Sequence, residues 1–354
     1  MPGDKSNSQP SPDHHNSNSP YAKLGEGQGV GDKSPSYYDI SMLKAPVWTW
    51  EVAAYFFCGG VSAGAFVLSR LAERCGGERH QELTRAGTAV AVLAALPCAP
   101  LLIRDLGDPK RFHHMLRIWK PQSPMNLGSW TLTAYNGFLA LAALRELARD
   151  GSMKMVPVKV PSPTEGLVLA VTDVMGVPTA LLLAGYTGVL LSSTATPVWS
   201  RNPWLGPLFS ASAMSTGAAA ITLALETAAE LSAPETPPKK ALAKIESTAR
   251  VAEAVSLAGY LASAGQLAEP LTRGKMAPHL WGGAVGAGLL VPEILERLPV
   301  RGKARRWLKI AAATLGLAGG FALRWAVLFA GRDSANDPDA ARAVGRARDD
   351  LHEA

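Results

Sequence analysis

Apolar residues in this chain gather into long runs, and most charges fall in the connections between them. Val52 to Ser69 contains no Asp, Glu, Lys or Arg, and neither does Ala86 to Ile103. Gly166 to Ser200 holds a single charge, Asp173. A helix crosses a bilayer with roughly 17 to 25 predominantly apolar residues, so these runs predict membrane spans. The full pattern predicts eight, at about Trp48–Leu71, Arg85–Ile103, Leu127–Leu144, Gly166–Ser193, Pro207–Glu230, Arg250–Leu267, Pro278–Leu295 and Leu308–Gly331. The expected fold is an all-α integral membrane protein, a bundle of about eight transmembrane helices within residues 46–332.

Residues 1–45 are rich in Ser, Pro, Asn, Gly and Asp without apolar periodicity, the composition of a disordered tail. Residues 333–354 read as a polar C-terminal tail. The opening segment lacks the apolar core of a cleavable signal peptide, so the first span is expected to act as its own insertion signal. Within that span Trp48 and Trp50 suit an interfacial aromatic belt, and Gly60 and Gly64 form a GxxxG pair that lets another helix approach. Gly176 and Pro178 interrupt the fourth span, and no equivalent pair is read in the second half, which weighs against the paired broken helices of transporters.

The chain has 354 residues, 47% of them hydrophobic, and a formal net charge of +6. With so many spans, that charge is read through topology rather than as a nucleic-acid footprint. Lys and Arg at the ends of the first, third, fifth and seventh connections number 4, 4, 4 and 6, against 5, 1 and 2 for the others. The positive-inside rule places the richer set in the cytoplasm. A multi-pass protein of the cytoplasmic membrane with both termini outside is expected. The second connection is the most basic on its outer side, which asks for a functional reason.

That connection, Asp105 to Trp130, reads DLGDPKRFHHMLRIWKPQSPMNLGSW and is polar, basic and aromatic at a membrane boundary. Pro109 and Pro121 stop it from continuing as one helix. Arg111, Arg117, Lys120 and Trp119 are candidate partner-docking residues, with contact to phospholipid headgroups as the competing reading.

Ionisable residues also fall in or near spans: Glu51, Asp173, Glu226, Glu253, Glu293 and Arg324. Each costs a few kcal/mol at the bilayer centre. Glu51, near a span end, can reach the interface. Asp173, Glu253 and Arg324 lie deeper and suggest either packed polar pairs or a proton path. Tyr55 and Tyr186 stand close to glycines, where a phenol offers a hydrogen-bond donor at the edge of an apolar slot. A quinone headgroup needs such donors because its carbonyls only accept; packing or interfacial anchoring is the alternative role. Cys58, Cys75 and Cys98 form no CxxC and are too few for a four-thiolate cluster. Outside the tails the histidines are His80, His113, His114 and His279, which supply no facing pair for haem. No haem or metal is expected in this chain. It also shows no P-loop, dinucleotide fingerprint or catalytic triad.

Several stretches together resemble the NrfD/polysulfide reductase membrane-subunit (PsrC-like) family. They are YFFCGGVSAG, the DLGDPKRF and SPMNLGSW ends of the loop, GVPTALLLAGYTGVLLSSTATPVW, WLGPLFSASAMSTGAA and GGFALRWAVLFAG. The resemblance implies two four-helix bundles and a site for quinone (menaquinone or ubiquinone) without haem or metal. It also implies a ferredoxin-like iron–sulfur partner subunit, linked to a molybdopterin catalytic subunit of formate dehydrogenase or polysulfide reductase type. Tyr186, in AGYTG, matches the family's quinone-site tyrosine. Tyr55 stands where the family places a polar headgroup contact, a histidine in one branch. Asp105 and Arg111 match the polar loop above the site. In the implied function Tyr55 and Tyr186 orient the quinone, while Asp105, or Glu51 through water, exchanges protons. The alternative is a transporter or proton-translocating subunit without its own redox site, with Asp173, Glu253 and Arg324 in the path.

Overall fold

The computed structural model describes residues 43–76, 80–106, 108–149, 162–228, 236–338 and 340–342, and every regular element among them is helical. The N-terminal tail up to residue 42 and residues 343–354 of the C-terminal tail lie outside the described residues. So do Arg79, Lys154 and Lys159, which enter the charge count, and Glu230 at the expected end of the fifth span.

The chain runs through α1 (Trp50–Gly76), α2 (Gln81–Ala95), α3 (Cys98–Asp105), the short α4 (His114–Arg117), α5 (Pro124–Arg149) and α6 (Ser162–Val171). It continues through α7 (Val177–Ser192), α8 (Leu205–Ala228), α9 (Pro237–Ala264), α10 (Glu269–Thr272), α11 (Val291–Arg297) and α12 (Lys303–Ala335). Among the described residues five helical stretches are long and apolar enough to cross a bilayer: Trp50–Gly76, Gln81–Asp105, Gly166–Ser192, Leu205–Ala228 and Lys303–Ala335. Three further long helical stretches carry more polar positions. They are α5 with Asn126 and Asn136, α9 with Lys239, Glu246, Arg250 and Glu253, and the stretch that ends in α11.

α1 is the axis of the assembly. In its most apolar stretch 78% of residues are buried, against 22% for Gln81–Asp105, which therefore lies at the periphery. It packs against α2, α3, α7, α8 and α12. Small residues allow this. A Cβ on Gly64 would run into the Ala213 carbonyl of α8, and one on Gly217 of α8 into the backbone at Gly64. Buried hydroxyls add bonds between helices: Ser62 donates to the Ala91 carbonyl at 2.7 Å and lies 2.6 Å from the Tyr135 hydroxyl, and Ser69 lies 2.8 Å from that of Thr88. The GxxxG expectation therefore holds for Gly64, whereas Gly60 serves a different purpose, making room for the Arg324 guanidinium.

Proline and glycine set the irregularities. Pro97 separates α2 from α3, and π-helical turns at Thr172–Gly176 precede Pro178 at the start of α7. The second half is interrupted too: Pro278–Leu290 is π-helical and runs into Pro292, so the break expected only at Gly176 and Pro178 has a counterpart. Its glycines take part in close packing, with Gly288 set directly against Gly319 of α12.

The connection between α7 and α8 locks one end of the bundle. Trp199 is fully buried, donates through Nε1 to the Val327 carbonyl at 2.8 Å, and stacks on Trp48 with ring centroids 5.6 Å apart. Tyr260 of α9 donates to the Val198 carbonyl at 3.0 Å, and the Val198 amide donates to Ser334 of α12 at 3.1 Å. This end also carries the Asp105–Trp130 connection, and it is called the loop face below.

Candidate functional site

The loop is built from its own side chains. Asp108 accepts from the Lys110 amide at 3.2 Å and caps a short 3₁₀ turn, Pro109–Arg111, with proline at the position that needs no donor. Asn126, in the first turn of α5, donates to the carbonyls of Met115 at 2.7 Å and Ile118 at 3.0 Å, and accepts from the Lys120 amide at 2.8 Å. One amide side chain thus ties α4 and the extended return behind it to α5. Trp119 lies edge-on to Trp130, centroids 5.8 Å apart.

Beneath the loop is a cavity of about 220 Å³ bounded by α1, α3, α4, α5 and α7. Its walls are mainly apolar: Trp48, Val52, Phe56, Leu102, Ile103, Phe112, Met115, Leu132 and Leu190 are among them. Polar atoms enter at Tyr55, Asp105, Ser129, Thr133 and Tyr186. Three of the four residues expected to form the site, Tyr55, Asp105 and Tyr186, therefore meet in one cavity although they come from three separate parts of the chain.

Tyr186 is positioned from two sides. Its hydroxyl donates to the Pro124 carbonyl in a short hydrogen bond, and its ring lies against Gly128, where any Cβ would overlap the phenol. The glycine of SPMNLGSW is thereby explained as space for this ring. Behind Tyr186 a second cavity of about 500 Å³ runs along α7 and α8. It shares Tyr186 and Leu190 with the first and is otherwise lined by residues such as Pro121, Leu181, Leu182, Val189 and Ser210. Leu181, Leu182 and Val189 are about half exposed, so this groove opens on the outer apolar surface.

Glu51, the fourth residue, stands just outside the cavity. The Thr49 hydroxyl lies within hydrogen-bond distance of both the Glu51 carboxylate and Asp105 Oδ1, the latter at 2.9 Å. Glu51 is buried and paired at 3.2 Å with Arg104, which is itself exposed and sits 5.9 Å from the Trp50 ring centroid. A polar path thus runs from the cavity through Asp105, Thr49 and Glu51 to a surface arginine. A hydroxyl has one hydrogen, so the two carboxylates compete for it unless one of them brings a proton.

The remaining candidates separate. Arg111, Arg117, Trp119 and Lys120 are all exposed on the loop face, with Arg111 paired to Asp108 at 3.1 Å. Arg324 and Glu253 come together in the middle of the bundle through serine hydroxyls of α8. Asp173 does not join them: it pairs with Arg74 at the far end of α1. Thr49, Asn126 and Gly128 carry much of the geometry without having been singled out by sequence. Asn126 and Gly128 lie in the SPMNLGSW stretch, so their proximity was visible although their tasks were not.

Comparison with known proteins identifies the family. The family described as "Polysulphide reductase, NrfD" matches residues 39–334. The C subunit of polysulfide reductase from Wolinella succinogenes is 28% identical over 313 residues, covering 83% of this protein and 96% of the relative. Protein NrfD of Escherichia coli is 27% identical over 307 residues, covering 81% of this protein and 95% of the relative. A protein NrfD homologue of Haemophilus influenzae is 26% identical over 312 residues, covering 81% and 94%.

Proposed function

The chain belongs to the polysulphide reductase, NrfD family and is a multi-pass membrane protein, and on that premise we propose that it is the quinone-exchanging membrane subunit of an oxidoreductase complex. It passes electrons between the membrane quinone pool and an iron–sulfur subunit docked on the loop face, which in turn serves a molybdopterin enzyme of formate dehydrogenase or polysulfide reductase type. In this reading α5, α9 and the helix over Pro278–Arg297 also cross the bilayer, giving eight spans. The loop face and both termini then lie on the outer side of the cytoplasmic membrane.

The observation that carries the reading is the meeting of Tyr55, Tyr186 and Asp105 in one mainly apolar cavity under a basic, aromatic loop. The donor set fits a quinone: an aromatic ring favours apolar walls, its carbonyls accept from phenols, and the quinol hydroxyls need acceptors. A quinone supplies two-electron, two-proton redox chemistry that none of the side chains here provides. Tyr55 and Tyr186 would orient the headgroup, Tyr186 donating to it once its hydroxyl has turned away from the Pro124 carbonyl. Asp105 would accept a proton from a quinol hydroxyl, and Thr49 and Glu51 lead onward to the surface at Arg104. The groove behind Tyr186 supports lateral access from lipid, with the Tyr186–Pro124 bond standing between groove and cavity. The loop holds Arg117, Trp119 and Lys120 outward, as docking of an acidic electron-transfer partner requires.

Mass spectrometry of what co-purifies in mild detergent tests the assembly. Iron–sulfur and molybdopterin subunits are expected, and their substrate class follows from their identity. Isolation of the protein alone from membranes that retain such subunits elsewhere would overturn the reading.

A further inference from the structure

Two stretches border the groove behind Tyr186, and neither contains an acidic residue. They are 109–145, with most of the loop and α5, and 174–225, with α7 and most of α8. The groove follows one face of α7 from Leu181 to Ser193, against Gly206 and Ser210 of α8 and Pro121 of the loop. At 1.5 Å per residue that face is about 18 Å long, close to the hydrocarbon depth of one leaflet, about 15 Å. A Cβ on Gly188 would run into the Leu205 carbonyl, so the two helices stay in contact along it. The groove is thus an apolar channel of about 500 Å³ on the outer surface, running from the loop face into the membrane.

Its loop-face end is flanked by two cations. Arg201 is the only charged residue in 174–225. Its amide donates at 2.9 Å to the carbonyl of Ser192, next to Ser193 of the groove wall. Among the described residues Arg201 alone, glycines apart, has a left-handed backbone, with φ of 53°. Glycine takes that conformation freely and most side chains resist it. The turn is held in place by its neighbour, Asn202, whose amide donates to Ser263 at 2.7 Å. A turn alone is better served by glycine, so an exposed arginine kept there against strain points to a task for its side chain. On the other flank Lys120 is exposed, its amide is held by Asn126 at 2.8 Å, and it immediately precedes Pro121 of the wall. Trp119 and Trp204, both exposed, follow the same two flanks, as aromatic residues do at a bilayer interface.

We propose that the groove and these two cations form a binding site for an anionic phospholipid of the leaflet at the loop face. One acyl chain lies along α7, and the phosphate meets Arg201 and Lys120. The length of the channel suits a single chain, and two cations without an acidic neighbour in the bordering stretches suit an anionic headgroup. An isoprenoid chain would match the same apolar walls but brings no charge for Arg201 and Lys120. The bound chain lies against Tyr186 and Leu190, which the groove shares with the cavity under the loop. The lipid site stands whether or not that cavity takes a quinone. Where it does, a quinone arriving from lipid displaces this chain to reach Tyr186.

The full-length protein, delipidated in mild detergent, is titrated with phosphatidylglycerol or with phosphatidylcholine of the same chains and read by native mass spectrometry. The parent should retain one phosphatidylglycerol with about 25-fold preference, about fivefold for each cation beside an anionic headgroup. Arg201→Gly relieves the backbone strain, so it should fold at least as stably, yet it should cut the preference about fivefold. Arg201→Lys should keep the preference. Leu182→Trp fills the channel and should remove either lipid. An unchanged preference in Arg201→Gly assigns Arg201 to the turn alone and overturns the proposal, as does lipid retention unaltered by Leu182→Trp. A polyisoprenoid quinone found in the parent in place of the phospholipid, and lost from Leu182→Trp, also overturns it. Should Leu182→Trp fail to assemble, Val189→Phe fills the channel from its half-exposed side and must weaken retention; full retention sinks the proposal.

Discussion

Thr49 and Asp105 are joined by a 2.9 Å hydrogen bond at the rim of the cavity, and the same hydroxyl faces Glu51. Asp105 is the last residue of α3, and Thr49 immediately precedes α1, so the bond also fixes the end of one helix against the start of another. In the proposed function, structure and proton traffic share this one contact.

Replacing Thr49 with Val removes the hydroxyl between two carboxylates while keeping the side-chain shape. Quinone-linked turnover should fall about tenfold, the scale of a lost charge-assisted hydrogen bond of about 1.5 kcal/mol, and its pH profile should move. Thr49→Ser should restore both. A pH profile unaltered in the valine variant would remove Thr49 from the proton route.

Tyr186→Phe should leave assembly intact and slow quinone-linked turnover about 5- to 30-fold, corresponding to about 1–2 kcal/mol of lost hydrogen bonding. The same variant loses the bond to the Pro124 carbonyl, so sensitivity to headgroup-mimicking inhibitors should change with it. Steady-state assays on washed membranes decide the matter; wild-type rates would exclude Tyr186.

Gly128→Ala attacks the same phenol from the other side, because the new Cβ would occupy the position of the Tyr186 ring. Overpacking costs about 1–3 kcal/mol, and here the strain falls on the site. Inhibitor affinity should drop more than thermal stability does, whereas Gly137→Ala, with open space around it, should be silent in both assays.

Gly64→Ala tests the packing of α1 on α8, where the Cβ would meet the Ala213 carbonyl backbone. The midpoint of thermal unfolding in detergent should fall by several degrees for a penalty of about 1–3 kcal/mol. A midpoint equal to that of the parent would show that the helices separate without cost.

Reversing charge at Arg117 and Lys120, both exposed on the loop face, should weaken retention of the proposed iron–sulfur partner, chiefly by slowing association, with stronger loss at low salt than at high salt. Co-purification yields at two ionic strengths provide the measurement. Equal retention would move the docking surface elsewhere on the loop face.

Sequence by itself determined that the protein is helical and built to cross a membrane, because a long run without charges has few other stable states in lipid. It also marked the loop, since Asp, Arg, His and Trp crowded at a membrane boundary are costly without a purpose, and it offered Tyr55, Tyr186 and, through the family resemblance, Asp105 as candidates. What it left open was which residues meet. Hydropathy is a property of one helix at a time, whereas a cavity depends on the rotation and depth of several helices against one another. Those are set by close contacts such as Gly64 on Ala213 and Gly128 on the Tyr186 ring. Asp173, Glu253 and Arg324 looked alike as buried charges, yet only the packing of α8 between α9 and α12 joined two of them through serines and left Asp173 with Arg74. The small residues that let helices touch carry little signal in a sequence, and here they decided the site.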